Sequence, residues 1–240
     1  RRLANVHGRP ILGTIVKPSI GLSPEELGAL VEKLALAGMD FIKDDELNAN
    51  PPFAPLDQKV KAVMAAVERA ADKTGRKLMY AFNITGDIDE LRRNHDIVVR
   101  AGGTCVMVSI LSVGLAGLAW LNEYSEVPIH GHRNQWGMLT RSPALGMSFV
   151  AFQKLCRLAG ADHLHVGGLN SKFFESNASV IQSIEACARP LFGGYATMPV
   201  VSSMQWAGSA PVTYEALGSV DLIHLAGGGM LAHPDGPAAG

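Results

Sequence analysis

The sequence reads ILGTIVKPSIGLSPEELGALVEKLALAGMDFIKDDE over residues 11–46, and this stretch contains one strand–helix–strand unit. It opens with an apolar run compatible with a β-strand and closes with a second strand-like run. Between the two runs, Ser23 fits an N-cap, Pro24 fits the first turn, and Glu26 can close a capping box. The apolar helical pattern then continues to Gly38, where we expect the helix to end.

The same alternation of strand and helix continues along the whole chain. The predicted strands span Ile11–Lys17, Phe41–Glu46, Lys77–Thr85, Thr104–Ile110, Pro128–Arg133, His163–Val166, Met198–Ser203 and Leu222–Ala226. The predicted later helices span Leu56–Thr74, Asp87–Ala101, Val113–Tyr124, Ser148–Leu158, Asn177–Cys187 and Val212–Leu217. Eight strands in regular alternation with helices predict a parallel sheet closed into a (β/α)8 TIM barrel, an α/β fold that forms one domain over residues 1–240.

The two ends of the chain indicate that more sequence belongs to this protein. No helix-like run follows the last predicted strand, so we expect the chain to continue beyond Gly240. The chain begins at Arg1 rather than at a methionine, so we also expect a segment before it.

Composition restricts the class of protein. The 240 residues are 48% hydrophobic and 18% charged with a net charge of −1, which is typical of a globular protein with a large core. No basic tract is present to neutralise phosphates, so nucleic acid is not the expected partner. No membrane-length apolar run or signal peptide is present. Three scattered cysteines indicate a reducing compartment, and we expect the cytoplasm.

The second strand ends in Lys43-Asp44-Asp45-Glu46. Alternate residues of a strand share a face, so Lys43 and Asp45 should point the same way, and Asp44 should point away from them in a structural role. Glu46 lies where the strand gives way to a loop. Charged groups at a buried strand end must pair with each other or hold a metal ion, so a lysine–carboxylate salt bridge and a metal site are both open.

Polar and charged side chains collect at the predicted strand ends, where TIM-barrel active sites lie. These residues are Lys17 and Ser19, Lys43 to Glu46, Asn83 and Thr85, His130, His132 and Arg133, His163 and His165, Lys172, Ser202 and Ser203, and Gly227 to Gly229. The glycine triplet would expose N–H groups to a phosphate, and Arg133 suits a second anion contact. This set predicts an active site for a phosphorylated substrate that can form an enolate.

Carboxylate ligands suit Mg²⁺ better than zinc. If CO₂ adds to the amine of Lys43, the carbamate supplies a third anionic oxygen beside Asp45 and Glu46. A metal ion held there would polarise a carbonyl and stabilise an enediolate. Lys17, if desolvated near that metal, could have a lowered pKa and move the proton.

With these residues in this order, the chain resembles the large-subunit barrel of RuBisCO and, more closely, the RuBisCO-like proteins. The resemblance covers nearly all 240 residues. It is carried by Gly13 to Pro18, Gly21-Leu22, Lys43 to Glu46, His130 to Arg133, Asp162 to His165, Lys172, Ser202, Gly227 to Gly229 and His233-Pro234.

The resemblance implies roles for individual residues. Lys43 matches the lysine that is carbamylated, and Asp45 and Glu46 match its partner ligands to Mg²⁺. Lys17 matches the lysine that handles protons during enolisation. The further matches are His132 as a candidate acid or base, Lys172 as the mobile-loop lysine, Arg133, Gly227 and Gly228 as phosphate contacts, His165 as a substrate or phosphate contact, and Ser202 as a substrate contact.

The resemblance also implies an assembly. The family has an N-terminal α+β domain that is absent from this chain, and it forms homodimers or higher homo-oligomers. The N-terminal domain of one subunit completes the active site of its neighbour.

Three departures separate the chain from the carboxylases of the family. Ser19 stands where they have a second lysine, and Asn170–Glu175 replaces their Gly-Lys-Leu-Glu-Gly loop. Ser203 and Met204 follow Ser202 where carboxylases have two glycines. The resemblance therefore implies a Mg²⁺-dependent lyase or isomerase that enolises, isomerises or decarboxylates a phosphorylated keto-sugar or oxo-sugar acid, and that does not fix CO₂.

Three alternatives stay open. One is a genuine ribulose-bisphosphate carboxylase. A second is a zinc amidohydrolase-like barrel, because two His-x-His pairs and a lysine suit such a site, although amidohydrolases carry a histidine pair on strand one and this chain has none there. A third is a non-catalytic binding barrel.

Overall fold

The computed structural model describes residues 1–142, 144–194 and 196–239. The strands are β1 (Ile11–Ile15), β2 (Phe41–Lys43), β3 (Met79–Asn83), β4 (Cys105–Ser109), β5 (Ile129–His132), β6 (His163–Gly167), β7 (Met198–Val201) and β8 (Ile223–Leu225). The helices are α1 (Pro24–Leu36), α2 (Leu56–Thr74), α3 (Ile88–Arg100), α4 (Ile110–Tyr124), α5 (Gly137–Thr140), α6 (Phe149–Leu158), α7 (Asn177–Ala188), α8 (Ser209–Leu217) and α9 (Gly228–Leu231). Of the helices in the described ranges, none is both long enough and apolar enough to cross a bilayer.

The eight strands form one closed parallel barrel in sequence order. Closure follows from the pairing of β1 with β8 as well as with β2, and Ile11 lies opposite Ile223 in that pairing. The prediction of a (β/α)8 TIM barrel is therefore confirmed. Because all strands are parallel, their carboxyl ends meet at one rim of the barrel, which is where the predicted polar side chains lie.

The core has two layers separated by the sheet. Phe41, Met107 and Ile223 belong to the cluster inside the barrel, whereas Ile42 belongs to the larger cluster between the sheet and the helices. Since neighbouring residues of a strand face opposite ways, Phe41 points inward and Ile42 outward. The next residue, Lys43, therefore points into the barrel at its carboxyl end, where no water reaches its side chain.

Local signals account for where the helices begin and end. The Ser23 hydroxyl accepts a hydrogen bond from the Glu26 N–H, and the Glu26 carboxylate accepts one from the Ser23 N–H, so the predicted capping box is present. Helix α2 has the predicted bounds and ends at Gly75, which has a left-handed φ of 68°. Only glycine adopts that conformation without steric cost, so the chain can turn there towards β3.

The structure departs from the predicted elements at several boundaries. Strand β2 ends at Lys43 rather than Glu46, because Asp45 enters a turn in which its carbonyl accepts from the Asn48 N–H. Short helices α5 and α9 were not predicted, and α9 follows β8 where the sequence pattern indicated no helix. Gly114, with φ 71° and ψ 168°, interrupts helix α4.

Candidate active site

Lys43 is held in the barrel mouth at the end of β2. Its Nζ donates to the Asp44 carbonyl oxygen at 2.8 Å and lies 3.4 Å from Glu46 Oε2. The side chain is fully buried, and this desolvation lowers the pKa of Lys43, although Glu46 and Asp45 partly oppose the shift. Burial thus increases the fraction of neutral amine, which is the nucleophilic form that can react with CO₂.

Asp45 receives donors from three directions. Lys17 Nζ donates to Asp45 Oδ2 at 2.6 Å, and Ser19 Oγ donates to the same oxygen at 3.0 Å. The Leu47 N–H donates to Asp45 Oδ1 at 3.0 Å. Burial alone would raise the pKa of Asp45, but these hydrogen bonds, the one from Lys17 foremost, lower it overall. Asp45 is therefore a carboxylate in direct contact with Lys17.

Glu46 and His132 face each other across the barrel mouth, with His132 Nε2 3.5 Å from Glu46 Oε2. His132 Nδ1 accepts a hydrogen bond from the Asn134 N–H at 3.1 Å, which assigns the proton of the neutral ring to Nε2. Burial, reinforced by the charge of Lys43, lowers the pKa of His132 to about 4. At neutral pH the ring is uncharged and directs its N–H towards Glu46.

Asp44 lies on the opposite side of β2, as the strand alternation predicted. Its carboxylate accepts hydrogen bonds from Lys59 Nζ at 2.7 Å, from the Tyr80 hydroxyl at 2.5 Å and from the Asn83 N–H at 2.9 Å. The Asn83 side chain in turn donates to the backbone carbonyl oxygens of Asp45 and Glu46, each at 3.2 Å. This buried network holds the loop that carries Asp45. Lys59 was not among the predicted site residues, and its signal in the sequence is a lysine on the buried face of α2.

Arg133, His165 and Ser202 form a second group of site residues, which we name the Arg133 cluster. His165 Nδ1 lies 3.0 Å from Ser202 Oγ, and its Nε2 lies 2.8 Å from His130 Nε2. Burial, followed by the charges of neighbouring groups, lowers the pKa of His165 well below its usual value. The ring is therefore neutral at physiological pH, and Arg133 supplies the positive charge of this cluster.

The guanidinium of Arg133 already has an anionic partner in Glu175. Arg133 Nη1 donates to Glu175 Oε1 at 2.8 Å, and Nη2 donates to the other carboxylate oxygen. The side chains of Arg133 and Glu175 are 10% and 8% exposed. Glu175 was not among the predicted site residues, because a pairing between residues 42 positions apart leaves no local pattern.

The remaining predicted residues lie at the rim without being drawn into either group. Gly227 is the N-cap of α9, and a Cβ added at Gly228 would meet nothing within 4 Å, so the backbone is open to a ligand there. Lys172 lies on the exposed loop after β6, with its Nζ 5.7 Å from the centroid of the Phe173 ring. Within the described ranges, Lys172 forms no hydrogen bond or ion pair with the other predicted site residues.

The donor set fits a hard divalent cation on one condition. Across residues 1–142, 144–194 and 196–239, no three His, Cys, Asp or Glu side chains are grouped so that they could hold a metal ion. Asp45 and Glu46 supply two carboxylates beside Lys43, and a carbamate on that lysine would supply a third anionic ligand. The buried amine, whose pKa is lowered, is chemically suited to become a carbamate.

Comparison with known proteins gives a consistent set of relatives. The family model of the ribulose bisphosphate carboxylase large chain, catalytic domain, matches residues 1–190 and 187–240. A 3-oxo-isoapionate-4-phosphate transcarboxylase/hydrolase of Xanthobacter autotrophicus is 53% identical over 98% of this chain. A 3-oxo-isoapionate-4-phosphate decarboxylase of Rhizobium etli is 47% identical over the whole chain. The chain spans 58% of the length of each of these two relatives.

Solved structures share the fold closely. A rubisco-like protein from Burkholderia fungorum superimposes with a TM-score of 0.96 at 51% identity, covering 100% of this chain and 60% of that one. The octameric ribulose-1,5-bisphosphate carboxylase/oxygenase of Pyrococcus horikoshii superimposes with a TM-score of 0.95 at 30% identity, covering 100% and 57%. The Pyrococcus horikoshii structure shows that a carboxylase of this family has the same barrel fold.

Proposed function

Because the chain belongs to the ribulose bisphosphate carboxylase large-chain family, we propose that it is the barrel of a Mg²⁺-dependent enzyme that forms an enolate from a phosphorylated oxo-sugar acid. The reaction that we favour is decarboxylation of a 3-oxo acid, with release rather than fixation of CO₂. The observation that carries the proposal is the contact between Lys17 and Asp45 beside the buried Lys43. This contact places a group that can carry a proton next to Asp45, one of the two carboxylates that suit a metal ion.

Three residues would hold the cation: Lys43 as its carbamate, Asp45 and Glu46. The ion, when bound, would polarise the substrate carbonyl and stabilise the negative charge that develops on its oxygen. The fully buried position of Lys43 supports this assignment, since a water-free site strengthens such electrostatic interactions. The network around Asp44 keeps the loop with the two carboxylates in place.

Lys17 is the proposed proton carrier. Loss of CO₂ from a 3-oxo acid breaks a carbon–carbon bond and leaves its electron pair on the α-carbon, conjugated with the carbonyl as an enolate. The Lys17 ammonium then delivers a proton to that carbon and becomes a neutral amine, which solvent reprotonates because the side chain is 44% exposed. His132, neutral with its proton on Nε2, is a second group that can pass a proton at the barrel mouth. Lys172, on the exposed loop after β6, would approach the substrate from the solvent side of the barrel mouth.

Substrate contacts are proposed on the other side of the barrel mouth. The open backbone at Gly227 and Gly228 suits a phosphate, because exposed N–H groups bind anions. His165 and Ser202, which are hydrogen-bonded to each other, suit the hydroxyl groups of a sugar chain. Two relatives named for 3-oxo-isoapionate 4-phosphate support an oxo-sugar acid phosphate as the substrate class.

The full protein is proposed to be a cytoplasmic homodimer or larger homo-oligomer. The octameric assembly of the Pyrococcus horikoshii protein supports an oligomer. Cys105, Cys156 and Cys187 are buried free thiols, which supports a reducing compartment.

The test is a reaction screen with the full-length protein, Mg²⁺ and bicarbonate. We expect CO₂ release from 3-oxo-isoapionate 4-phosphate, and we expect deuterium incorporation at the α-carbon of the product by NMR in D₂O. Ribulose 1,5-bisphosphate with ¹³C-bicarbonate should give no labelled carboxylate product. Carboxylation of ribulose bisphosphate, or turnover that needs zinc in place of Mg²⁺, would contradict the proposal.

A further inference from the structure

We propose that Glu175 is a specificity-determining residue: by neutralising Arg133, it restricts the substrate to a single phosphate group. The inference rests on the proposed function and adds a substrate feature to it. The resemblance implied two phosphate contacts, one at Gly227 and Gly228 and one at Arg133. Only the first of these is open to an anion, because the second already faces a carboxylate.

The Arg133–Glu175 pair is a bidentate contact between two largely buried side chains. The two terminal nitrogens of the guanidinium, Nη1 and Nη2, each donate to one carboxylate oxygen, which is the strongest arrangement of an arginine with a carboxylate. The guanidinium also lies over the ring of Phe149, 4.4 Å from its centroid. Removing one partner of a largely buried pair leaves an unpaired charge, so a competing anion would have to displace Glu175 at considerable cost.

The backbone next to the pair leaves room for it. Gly167, at the end of β6, has a φ of +91°, and a Cβ added there would lie 2.8 Å from Arg133 Nη2. The same Cβ would lie 3.6 Å from Glu175 Oε2. Glycine at this position therefore provides the space in which the guanidinium and the carboxylate meet.

The position of Glu175 in the chain limits how far it can withdraw. It directly precedes Ser176, the N-cap of α7, whose hydroxyl accepts from the Ser179 N–H at 3.2 Å. The preceding residues Phe173 and Phe174 are exposed, whereas Glu175 is buried against Arg133. The carboxylate is thus tied to the start of a helix rather than carried on the exposed part of the loop.

The charge of the Arg133 cluster explains the selectivity. His165 is neutral and Ser202 is uncharged, so Arg133 and Glu175 together leave the cluster with no net charge. A phosphate dianion placed there would meet the carboxylate of Glu175 and would lack a free cation. A sugar hydroxyl can instead hydrogen-bond to His165 and Ser202 without disturbing the pair. The cluster therefore suits the unphosphorylated end of a substrate.

The experiment is a binding comparison by calorimetry with the full-length protein, using ribulose 5-phosphate and ribulose 1,5-bisphosphate as probes. The wild-type protein should bind the bisphosphate no more tightly than the monophosphate. Glu175→Gln frees the charge of Arg133 at nearly constant side-chain volume and should tighten bisphosphate binding at least about tenfold. Monophosphate binding should change less than about threefold.

Two further variants make the result specific. Glu185→Gln removes a carboxylate from an exposed pair with Arg189 (3.8 Å) and should leave both affinities unchanged. Glu175→Asp shortens the side chain by one methylene and draws the carboxylate back from Arg133, so, if the glutamine variant unfolds, the aspartate variant should also tighten bisphosphate binding, but by a smaller factor. A bisphosphate affinity that does not rise in the folded variant overturns the proposal, whether or not the wild-type protein binds either probe. The reaction screen above is independent, because it measures turnover rather than this affinity ratio.

Discussion

Lys17 Nζ lies 2.6 Å from Asp45 Oδ2, so the proposed proton carrier is hydrogen-bonded to a proposed metal ligand. Ser19 Oγ bridges the two, accepting from Lys17 at 2.8 Å and donating to Asp45 at 3.0 Å. The carboxylases that the chain resembles have a lysine in place of Ser19. The hydroxyl thus supplies a neutral donor where a second cation would stand, and Lys17 is the cation in contact with Asp45.

Replacing Lys17 with Met should separate proton transfer from metal binding. The variant keeps the length of the side chain but cannot carry a proton, so deuterium exchange at the α-carbon of the product in D₂O should slow by about 100-fold or more. Mg²⁺ binding, measured by calorimetry, should persist because Asp45 and Glu46 remain. Exchange at the wild-type rate would assign the proton to another group, of which His132 is the nearest candidate.

Replacing Lys43 with Ala should remove the third anionic ligand. We expect activity to fall at least about 1,000-fold, together with loss of the carbamate signal from ¹³C-labelled CO₂ in the NMR spectrum. Lys154, an exposed lysine of α6, offers the matched control, and its alanine variant should retain both. A Lys43→Ala protein with near-normal turnover would refute the metal assignment.

The buried pair between Lys59 and Asp44 should matter for stability. Lys59→Met leaves the Asp44 carboxylate buried with two neutral donors, so the free energy of unfolding should drop by about 3–5 kcal/mol. Lys77→Met breaks a pair of similar length, 2.6 Å to Glu68, but both of those side chains are about half exposed. Its cost should stay below about 1 kcal/mol. Urea unfolding of the two variants measures the difference, and equal losses would contradict a special role for burial.

Acid should destabilise the protein through its buried histidines. Burial lowers the pKa of His163 to about 4 from 6.5. Between these values the unfolded chain binds a proton that the folded chain does not, so the free energy of unfolding falls as the pH drops from 6.5 towards 4. The slope is up to about 1.4 kcal/mol per pH unit for each such histidine.

The variant His163→Asn tests this linkage. Unfolding measured at several pH values should show a shallower loss of stability in the variant, since one proton-binding site has been removed from the unfolded state. His7 is exposed, so His7→Asn should keep the wild-type slope. An unchanged slope in His163→Asn would contradict the prediction, because it would show that His163 has the same pKa in the folded and the unfolded protein.

Local sequence patterns were enough to predict the architecture. Apolar runs separated by caps and glycines specify strands and helices locally, which is why the capping box at Ser23 and the bounds of α2 agree with the structure. Eight such units in this length favour a closed barrel over an open sheet, and closure places the carboxyl end of every strand at one rim. The position of Lys43, Asp45 and Glu46 at this rim could be predicted too, because the three residues directly follow an apolar run that reads as a strand.

Which charged groups contact each other depends on the three-dimensional packing of the chain. The partners of Arg133 and Asp44 are Glu175 and Lys59, which lie 42 and 15 positions away along the chain. Helix and strand periodicity determines which face a side chain takes, but a salt bridge depends on distances of a few ångströms between separate segments. Those distances follow from how helices pack on the barrel. The anion-binding capacity of Arg133 therefore could not be judged until Glu175 was placed beside it.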